Sequence, residues 1–213
     1  MSFALFRPAL LRAGLIGSLL PAALVAVPMA AFAQDAAPTR IRGTIGEFSG
    51  QTLTVKTREG KDVQIKLAPG FTVSAVKKFN LADIKSGDFI GSAAKKGPDG
   101  KLEAMEVTVF PESARGTGEG HYGWDAGPNS SMTNATVAKV DAAPTGRTLA
   151  LTYKGGSVSL DVPEDAPVVT FEPGTPDMLM PGKAVFVVAK AAADGAISAN
   201  RVAVEHDGVK PPM

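Results

Sequence analysis

The 213-residue sequence contains no cysteine, and this absence excludes several kinds of site at once. Disulfides, thiolate zinc sites, iron–sulfur clusters and thiol nucleophiles all need that residue. Neither sign of charge dominates, because 22 Lys and Arg face 21 Asp and Glu. Nucleic-acid binding depends on clustered cationic side chains, so this balance argues against a nucleic-acid partner. Aromatic residues are also scarce, at 6% of the chain, with one tryptophan and two tyrosines.

The N-terminus has the pattern of a secretory signal peptide. Arg7 and Arg12 precede an uncharged, leucine-rich run that ends in the small-x-small sequence of residues 31–33. A retained membrane anchor is the alternative, but Pro21 and Pro28 interrupt the run, and a spanning helix needs about 20 apolar residues. We therefore expect residues 1–33 to be cleaved, with no transmembrane segment in the remainder and the bacterial periplasm as the destination.

An internal repeat organises the rest of the chain. Residues 84–89 and 99–104 match residues 179–184 and 194–199 at a constant offset of 95 residues. Upstream, the alternating apolar residues that follow Gly60 and Gly155 keep the same offset. A register held over this length predicts two copies of one unit of about 75 residues, large enough for a small β-rich core. The predicted segments are repeats at 38–110 and 132–207, a connector at 111–131 and a flexible tail at 208–213.

Period-two alternation of apolar residues predicts that each repeat is built from strands. In the first repeat, glycines at positions 50, 60 and 100 supply the positive φ angles that short hairpins need. Residues 80–84 predict a capped helical turn between the fourth and fifth strands. Five or six short strands with one such turn favour an all-β fold of two tandem, small Greek-key barrels that arose by internal duplication.

Several turn motifs carry a resemblance to a known family. Residues 82–88 (ADIKSGD) and 99–104 (DGKLEA) resemble a domain of unknown function from secreted bacterial proteins. The resemblance covers residues 40–110 well and 134–206 more loosely, and it implies an oligonucleotide/oligosaccharide-binding-like (OB-like) barrel. Residues 118–125 (GEGHYGWD) are also similar to proteins labelled metal-transporter permeases, although that label implies membrane spans that are not expected here. The family has no agreed catalytic residues to transfer.

The connector is the strongest candidate for a functional site. Its glycine-rich segment contains His121, Tyr122 and the single tryptophan, Trp124. A flexible linker has little use for an indole, which is normally buried or kept for recognition. One interpretation is that the aromatic residues pack against both barrels and fix their orientation. The other makes Tyr122 and Trp124 stacking platforms for a small ligand or an envelope protein, with His121, Asp125 and Arg115 giving polar selectivity.

A soft-metal site is the alternative hypothesis. Met178 and Met180 present two thioethers at alternate positions, and thioether sulfur with imidazole suits Cu(I). Periplasmic copper chaperones use similar chemistry on small barrels. However, a methionine pair commonly fills gaps in a core, and no histidine lies nearby in the sequence. We therefore assign no metal site and no cofactor.

Enzymatic motifs are absent from the sequence. The two histidines, His121 and His206, lie near no Gly-x-Ser-x-Gly elbow, and no His-Glu-x-x-His occurs. The carboxylates fall mostly in turns or at alternating strand positions expected to face water. The sequence thus favours a non-enzymatic periplasmic or envelope-associated protein that recognises a partner or small ligand at the junction between the repeats, with a periplasmic Cu(I)-binding protein or chaperone as the alternative.

Overall fold

A computed structural model describes residues 38–97, 100–192 and 194–212, and these residues form an all-β fold. The predicted signal peptide, residues 1–33, lies outside them. Twelve strands are present: β1 Thr39–Ser49, β2 Thr52–Thr57, β3 Asp62–Lys78, β4 Phe89–Lys96, β5 Leu102–Val109, β6 Gly120–Gly123, β7 Ser130–Ala143, β8 Gly146–Tyr153, β9 Gly156–Val162, β10 Val168–Gly174, β11 Ala184–Ala191 and β12 Ile197–Val204. The helical segments of these residues are 3₁₀ turns at Leu81–Asp83, Glu112–Ala114 and Pro176–Met178, none with the length and apolar character to span a bilayer.

The local predictions of strands and turns agree with this structure. Gly50, Gly60 and Gly100 have φ angles of 59°, 80° and 83°, in the region that favours glycine. The predicted turn at 80–84 is capped by Asn80, whose Oδ1 accepts a hydrogen bond from the backbone N–H of Ala82 at 3.0 Å. The third and fourth predicted strands differ, because they run on as one 17-residue strand, β3.

The first barrel is a closed cycle of five strands, β1, β2, β3, β12 and β11. All its pairs are antiparallel except β3 with β12, which is parallel and closes the cycle. Apolar side chains at alternate positions fill its interior, as the period-two pattern requires. The core includes Ile41, Ile45, Leu53, Val55, Ile65, Leu67, Val185, Val187, Val202 and Val204.

A second cycle of five strands, β5, β4, β7, β8 and β9, surrounds its own core and is called the second barrel here. Parallel pairing of β5 with β9 closes it through two residue pairs, Leu102 with Leu160 and Glu103 with Asp161. The core includes Ile90, Ala94, Val107, Ala135, Val137, Leu149, Leu151, Leu160 and Val162. β10 lies between β3 and β5 and joins the two cycles into one sheet.

The strand pairing does not follow the predicted repeat boundaries. The sequence predicts that each repeat closes its own barrel, whereas β11 and β12 complete the barrel begun by β1–β3, and β4 and β5 join β7–β9. The continuous strand β3 causes the difference, because its second half pairs with β10 as well as with β12 of the first barrel. An exchange of equivalent strands preserves every inward-facing residue, so hydrophobic periodicity is identical in both arrangements.

Residues 95 positions apart occupy equivalent places in this exchange. Val107 pairs with Val168 between β5 and β10, and the corresponding pair, Val202 with Val73, lies between β12 and β3. The antiparallel pairing of β3 with β10 lies at the centre of this arrangement and relates the two halves by an approximate twofold.

The predicted flexible tail also packs differently from the expectation. Val209 packs against a small apolar cluster of Val76, Val169 and Ala203, which lies between the two barrel cores. Pro211 is buried as well. Val209 and Pro211 therefore hold part of the tail against the protein, with Val209 on residues of β3, β10 and β12.

Engineered disulfides test the exchange, since the chain has no native cysteine. Lys66 and Ser198 are exposed partners across β3 and β12, at a separation that a disulfide can bridge. We expect the variant Lys66→Cys/Ser198→Cys to form an intramolecular disulfide that non-reducing peptide mapping detects.

The matched control is Lys66→Cys/Glu103→Cys, which pairs the equivalent positions within one predicted repeat. Two repeats that each close their own barrel would cross-link this control instead. A cross-link in the control, with none in the first variant, would overturn the exchanged topology.

Candidate functional site

The connector adds a strand to the rim of the second barrel. β6 runs antiparallel to the first half of β7, with His121 opposite Thr133 and Tyr122 opposite Met132. Successive side chains of a strand point to opposite faces. The pairing therefore separates the adjacent candidates His121 and Tyr122 onto two faces with different surroundings.

On the Tyr122 face, five side chains form what we call the Trp124 cluster: Arg40, Arg42, Tyr122, Trp124 and Asp125. The guanidinium carbon of Arg40 lies 3.9 Å from the Trp124 ring centroid, and Tyr122 lies at 6.3 Å in a tilted arrangement. Arg42 donates two hydrogen bonds to the Asp125 carboxylate, at 2.8 and 3.0 Å. Because both arginines belong to β1, the cluster ties the connector to the first barrel.

The charges of this cluster set the protonation of its acidic members. Burial tends to raise the pKa of Asp125, but the hydrogen bonds and charge of Arg42, with the charge of Arg40, outweigh it and lower that pKa below its usual value of 3.8. Burial raises the pKa of Tyr122, against the opposing charge of Arg40. Asp125 is thus held as an anion between two cations.

These contacts favour the packing interpretation of Trp124. Stacking of a guanidinium on an indole contributes about 0.5–2 kcal/mol, depending on its exposure. Since Arg40 already lies over the ring, that face of Trp124 is not available to a ligand. Arg40 and Arg42, which the sequence analysis did not single out, supply the partners that the aromatic residues require.

Asn134 holds the part of the connector that precedes β6. Its buried Nδ2 donates to the carbonyls of Thr117 and Gly118, at 3.1 and 3.2 Å. Gly91 makes room for this side chain, because a Cβ built there would lie 2.5 Å from Asn134 Oδ1. Asn134 thus fixes the loop that leads into β6.

Arg115 belongs to a separate structural contact. It forms a bidentate pair with Glu112, at 2.6 and 2.7 Å, and donates to the Gly87 carbonyl at 2.8 Å. Its hydrogen bonds and stacking contacts join the 3₁₀ turn Glu112–Ala114 to β4 and β7, and within the described part of the chain these contacts include no member of the Trp124 cluster. The predicted selectivity role of Arg115 remains a prediction.

His121 lies on the opposite face, at a cavity of about 570 Å³. Its Nδ1 is 2.8 Å from Thr133 Oγ1, and its ring stacks on Tyr153 at 6.3 Å with an angle of 24° between the planes. Two contacts thus fix the orientation of this exposed ring. The described lining consists of Lys96, Gly97, Leu102, His121, Asn129, Ser130 and Ser131.

The cavity is at the mouth of the second barrel. Alternation along β7 places Ser131 and Thr133 on the face of Ala135 and Val137, which belong to the barrel core. Leu102 of β5 packs against the same core. Barrel mouths are common positions for ligand sites.

The interior beneath this mouth contains two buried hydroxyls where the corresponding part of the first barrel is apolar. Ser92 of β4 corresponds to Val187 of β11 at the repeat offset. Their cross-strand partners, Thr133 of β7 and Ile41 of β1, therefore correspond as well. All four residues are buried. Buried hydroxyls cost free energy unless they are hydrogen-bonded. Ser92 Oγ donates to the Glu106 carbonyl of β5 at 2.7 Å, whereas Thr133 Oγ1 contacts His121 Nδ1, so Thr133 is the member of the pair that links the barrel interior to the cavity.

The methionine pair does not converge in the structure. Met178 packs against the core of the first barrel, whereas Met180 is 50% exposed. His206 lies beside Asp207 and Glu172 at the end of β12, with Nε2 to carboxylate distances of 3.4 and 3.9 Å. Within the described residues, no three His, Asp or Glu side chains are grouped to hold a metal ion. Cu(I) binding remains a prediction.

Sequence reasoning identified His121 but missed most of its surroundings. Thr133, Ser131 and Lys96 lie in segments that read as ordinary strand and turn residues. The only signal was the replacement of Val187 and Ile41 by Ser92 and Thr133, and it becomes visible only once the register of β4 with β7 is known.

The Trp124 cluster predicts an acid-sensitive contribution to stability. Asp125→Asn should lower the free energy of unfolding at pH 7 by about 1 kcal/mol, near the upper end for partly exposed ion pairs. Because folding lowers the pKa of Asp125, its stabilisation is complete above pH 3.8 and is lost as the pH falls through the folded value. The free energies of unfolding of the wild type and Asp125→Asn, measured in urea from pH 7 to pH 2.5, should converge as the pH falls.

Asp141→Asn is the control, since Asp141 pairs with Lys139 on the exposed surface. If Asp125→Asn and Asp141→Asn lowered the free energy of unfolding at pH 7 by the same amount, a specific role of the Trp124 cluster would be contradicted.

Comparison of the chain with protein-family models, curated proteins and solved structures gives no match. The resemblance of residues 40–110 to an OB-like domain therefore remains an expectation from its turn motifs. Any assignment of function rests on the geometry of the cavity at His121 and of the Trp124 cluster.

Proposed function

We propose that this is an exported, non-enzymatic binding protein that holds a small polar ligand in the mouth of its second barrel, beside the connector. One observation carries the proposal: the buried pair Ser92 and Thr133 places two hydroxyls beneath this mouth where Val187 and Ile41 leave its counterpart apolar, and Thr133 contacts His121 of the lining. His121 is oriented there by Thr133 and Tyr153. The cavity beside it, of about 570 Å³, is wide open to solvent.

The rest of the chain has a supporting role in this proposal. The Trp124 cluster anchors the residues after His121 to the first barrel, and Asn134 anchors the loop before β6, so β6 presents His121 at a fixed position. Preorganisation of this kind lowers the entropic cost of binding. The equal registers of the two halves support an origin by duplication of an OB-like unit, in which one copy acquired the site.

The chemistry of the lining favours binding over catalysis. Nucleophilic catalysis needs a hydroxyl activated by an adjacent base. Ser131 Oγ is buried and has no hydrogen-bond partner among the described residues, and Nδ1 of His121 is engaged by Thr133. Neither group is arranged as a nucleophile and base. The signal-like segment 1–33 supports the periplasm as the compartment in which the ligand is met.

The test is a ligand screen read by backbone amide chemical shifts. Mixtures of monosaccharides, sugar acids, amino acids and inorganic phosphate are added to the labelled protein. We expect saturable chemical-shift changes at Lys96, His121 and Ser131. The affinity should be about tenfold lower in His121→Ala, because the loss of one hydrogen bond costs a free energy near the upper end of the usual range for hydrogen bonds.

His206→Ala is the matched control, because it removes the other histidine and leaves the cavity intact. Shifts confined to another surface, or equal affinity in the His121 and His206 variants, would rule out the mouth as the binding site.

A further inference from the structure

The hydrogen bond between Thr133 and His121 has a direction that the surroundings determine. Thr133 is fully buried, and His121 Nδ1 is the only partner of its Oγ1 among residues 38–97, 100–192 and 194–212. If Nδ1 carried the proton, the buried threonine O–H would have no acceptor, at a cost of about 1–3 kcal/mol. The Thr133 hydroxyl therefore donates to Nδ1.

This direction fixes what His121 offers to the cavity. A neutral imidazole that accepts at Nδ1 carries its proton on Nε2, and a protonated imidazole carries protons on both nitrogens. In either state Nε2–H is a hydrogen-bond donor. Because Nδ1 is bound to Thr133 in the wall, Nε2 is the ring nitrogen that remains for a ligand.

Lys96 supplies a second donor at the same cavity. It is exposed, and no ion pair of Lys96 occurs among the described residues, whereas the adjacent Lys95 pairs with Glu103 at 3.4 Å and lies outside the lining. The amide of Asn129 and the hydroxyl-bearing Ser130 and Ser131 complete the polar lining. No described lining residue is a carboxylate.

Building on the proposed function, we propose that the ligand is a small oxyanion, whose oxygens accept hydrogen bonds from His121 Nε2 and Lys96 Nζ. Two donors, one of them cationic, select anionic groups whose oxygens accept hydrogen bonds, which carboxylates and phosphates both have. A carboxylate on a hydroxylated body of monosaccharide size offers an anionic group to these two donors and hydroxyls to the amide of Asn129. Thr133 acts as a positioning residue, since it sets the tautomer of His121.

Titration with matched probes tests the charge class. The probes are D-glucuronate, D-glucose, which has the same ring without the carboxylate, and inorganic phosphate. We expect the dissociation constant of glucuronate to be at least tenfold lower than that of glucose, and to rise with added NaCl. Lys96→Gln should weaken glucuronate binding about tenfold, the effect of losing one charge-assisted hydrogen bond, whereas Lys95→Gln should leave it unchanged.

The imidazole signals provide a readout that is independent of affinity. Long-range ¹H–¹⁵N spectra of the free protein should show the Nε2–H tautomer of His121, and Thr133→Val should abolish that preference. An Nδ1–H tautomer in the wild type would overturn the argument from Thr133.

The outcomes separate this inference from the proposed function. Equal binding of glucose and glucuronate at His121 would retain a ligand site in the mouth and overturn the oxyanion. Equal effects of Lys96→Gln and Lys95→Gln would also overturn it. Phosphate binding without glucuronate binding would support the oxyanion but not the sugar body, and a folded protein that responds to none of the screened compounds would overturn both proposals.

Discussion

Antiparallel pairing between β3 and β10 carries each half of the chain from the barrel in which it begins to the barrel that it completes. After this pair, the chain continues from β3 to β4 and β5 of the second barrel, and from β10 to β11 and β12 of the first barrel. Val76 of β3, Val169 of β10 and Ala203 of β12 form a small apolar cluster at this pairing. Neither barrel core can then form from one half of the chain alone.

Much of the secondary structure was predictable from local chemistry, because period-two alternation and turn glycines act over a few residues. Glycines 50, 60 and 100 have the positive φ angles that their turns were expected to need. The strand partners were not predictable, since an exchange between equivalent strands leaves each residue with the same type of neighbour. Only the unbroken length of β3 distinguishes the two arrangements, and Pro69 and Gly70 make the sequence read as two strands there.

The candidate site was predictable only in part, for a similar reason. Aromatic residues in a glycine-rich connector pointed to His121, Tyr122 and Trp124, but the faces they occupy depend on the register of β6 with β7. That register sends Tyr122 and Trp124 towards Arg40 and Arg42, and His121 towards the hydroxyl of Thr133. A chemically uniform patch in the sequence thus becomes a packing contact on one face and a polar cavity on the other.

The order of the strands also governs when each barrel can be completed during synthesis. All strands of the second barrel lie between Phe89 and Val162, whereas the first barrel needs both Thr39 and Val204. As the chain emerges from its N-terminus, β1–β3 must wait with unpaired edges until the last strands arrive, and such edges are prone to pair with other chains. The first barrel is therefore the last to close, although its first strands are synthesised earliest. The N-terminal strands β1–β3 are the part of the nascent chain most prone to aggregation.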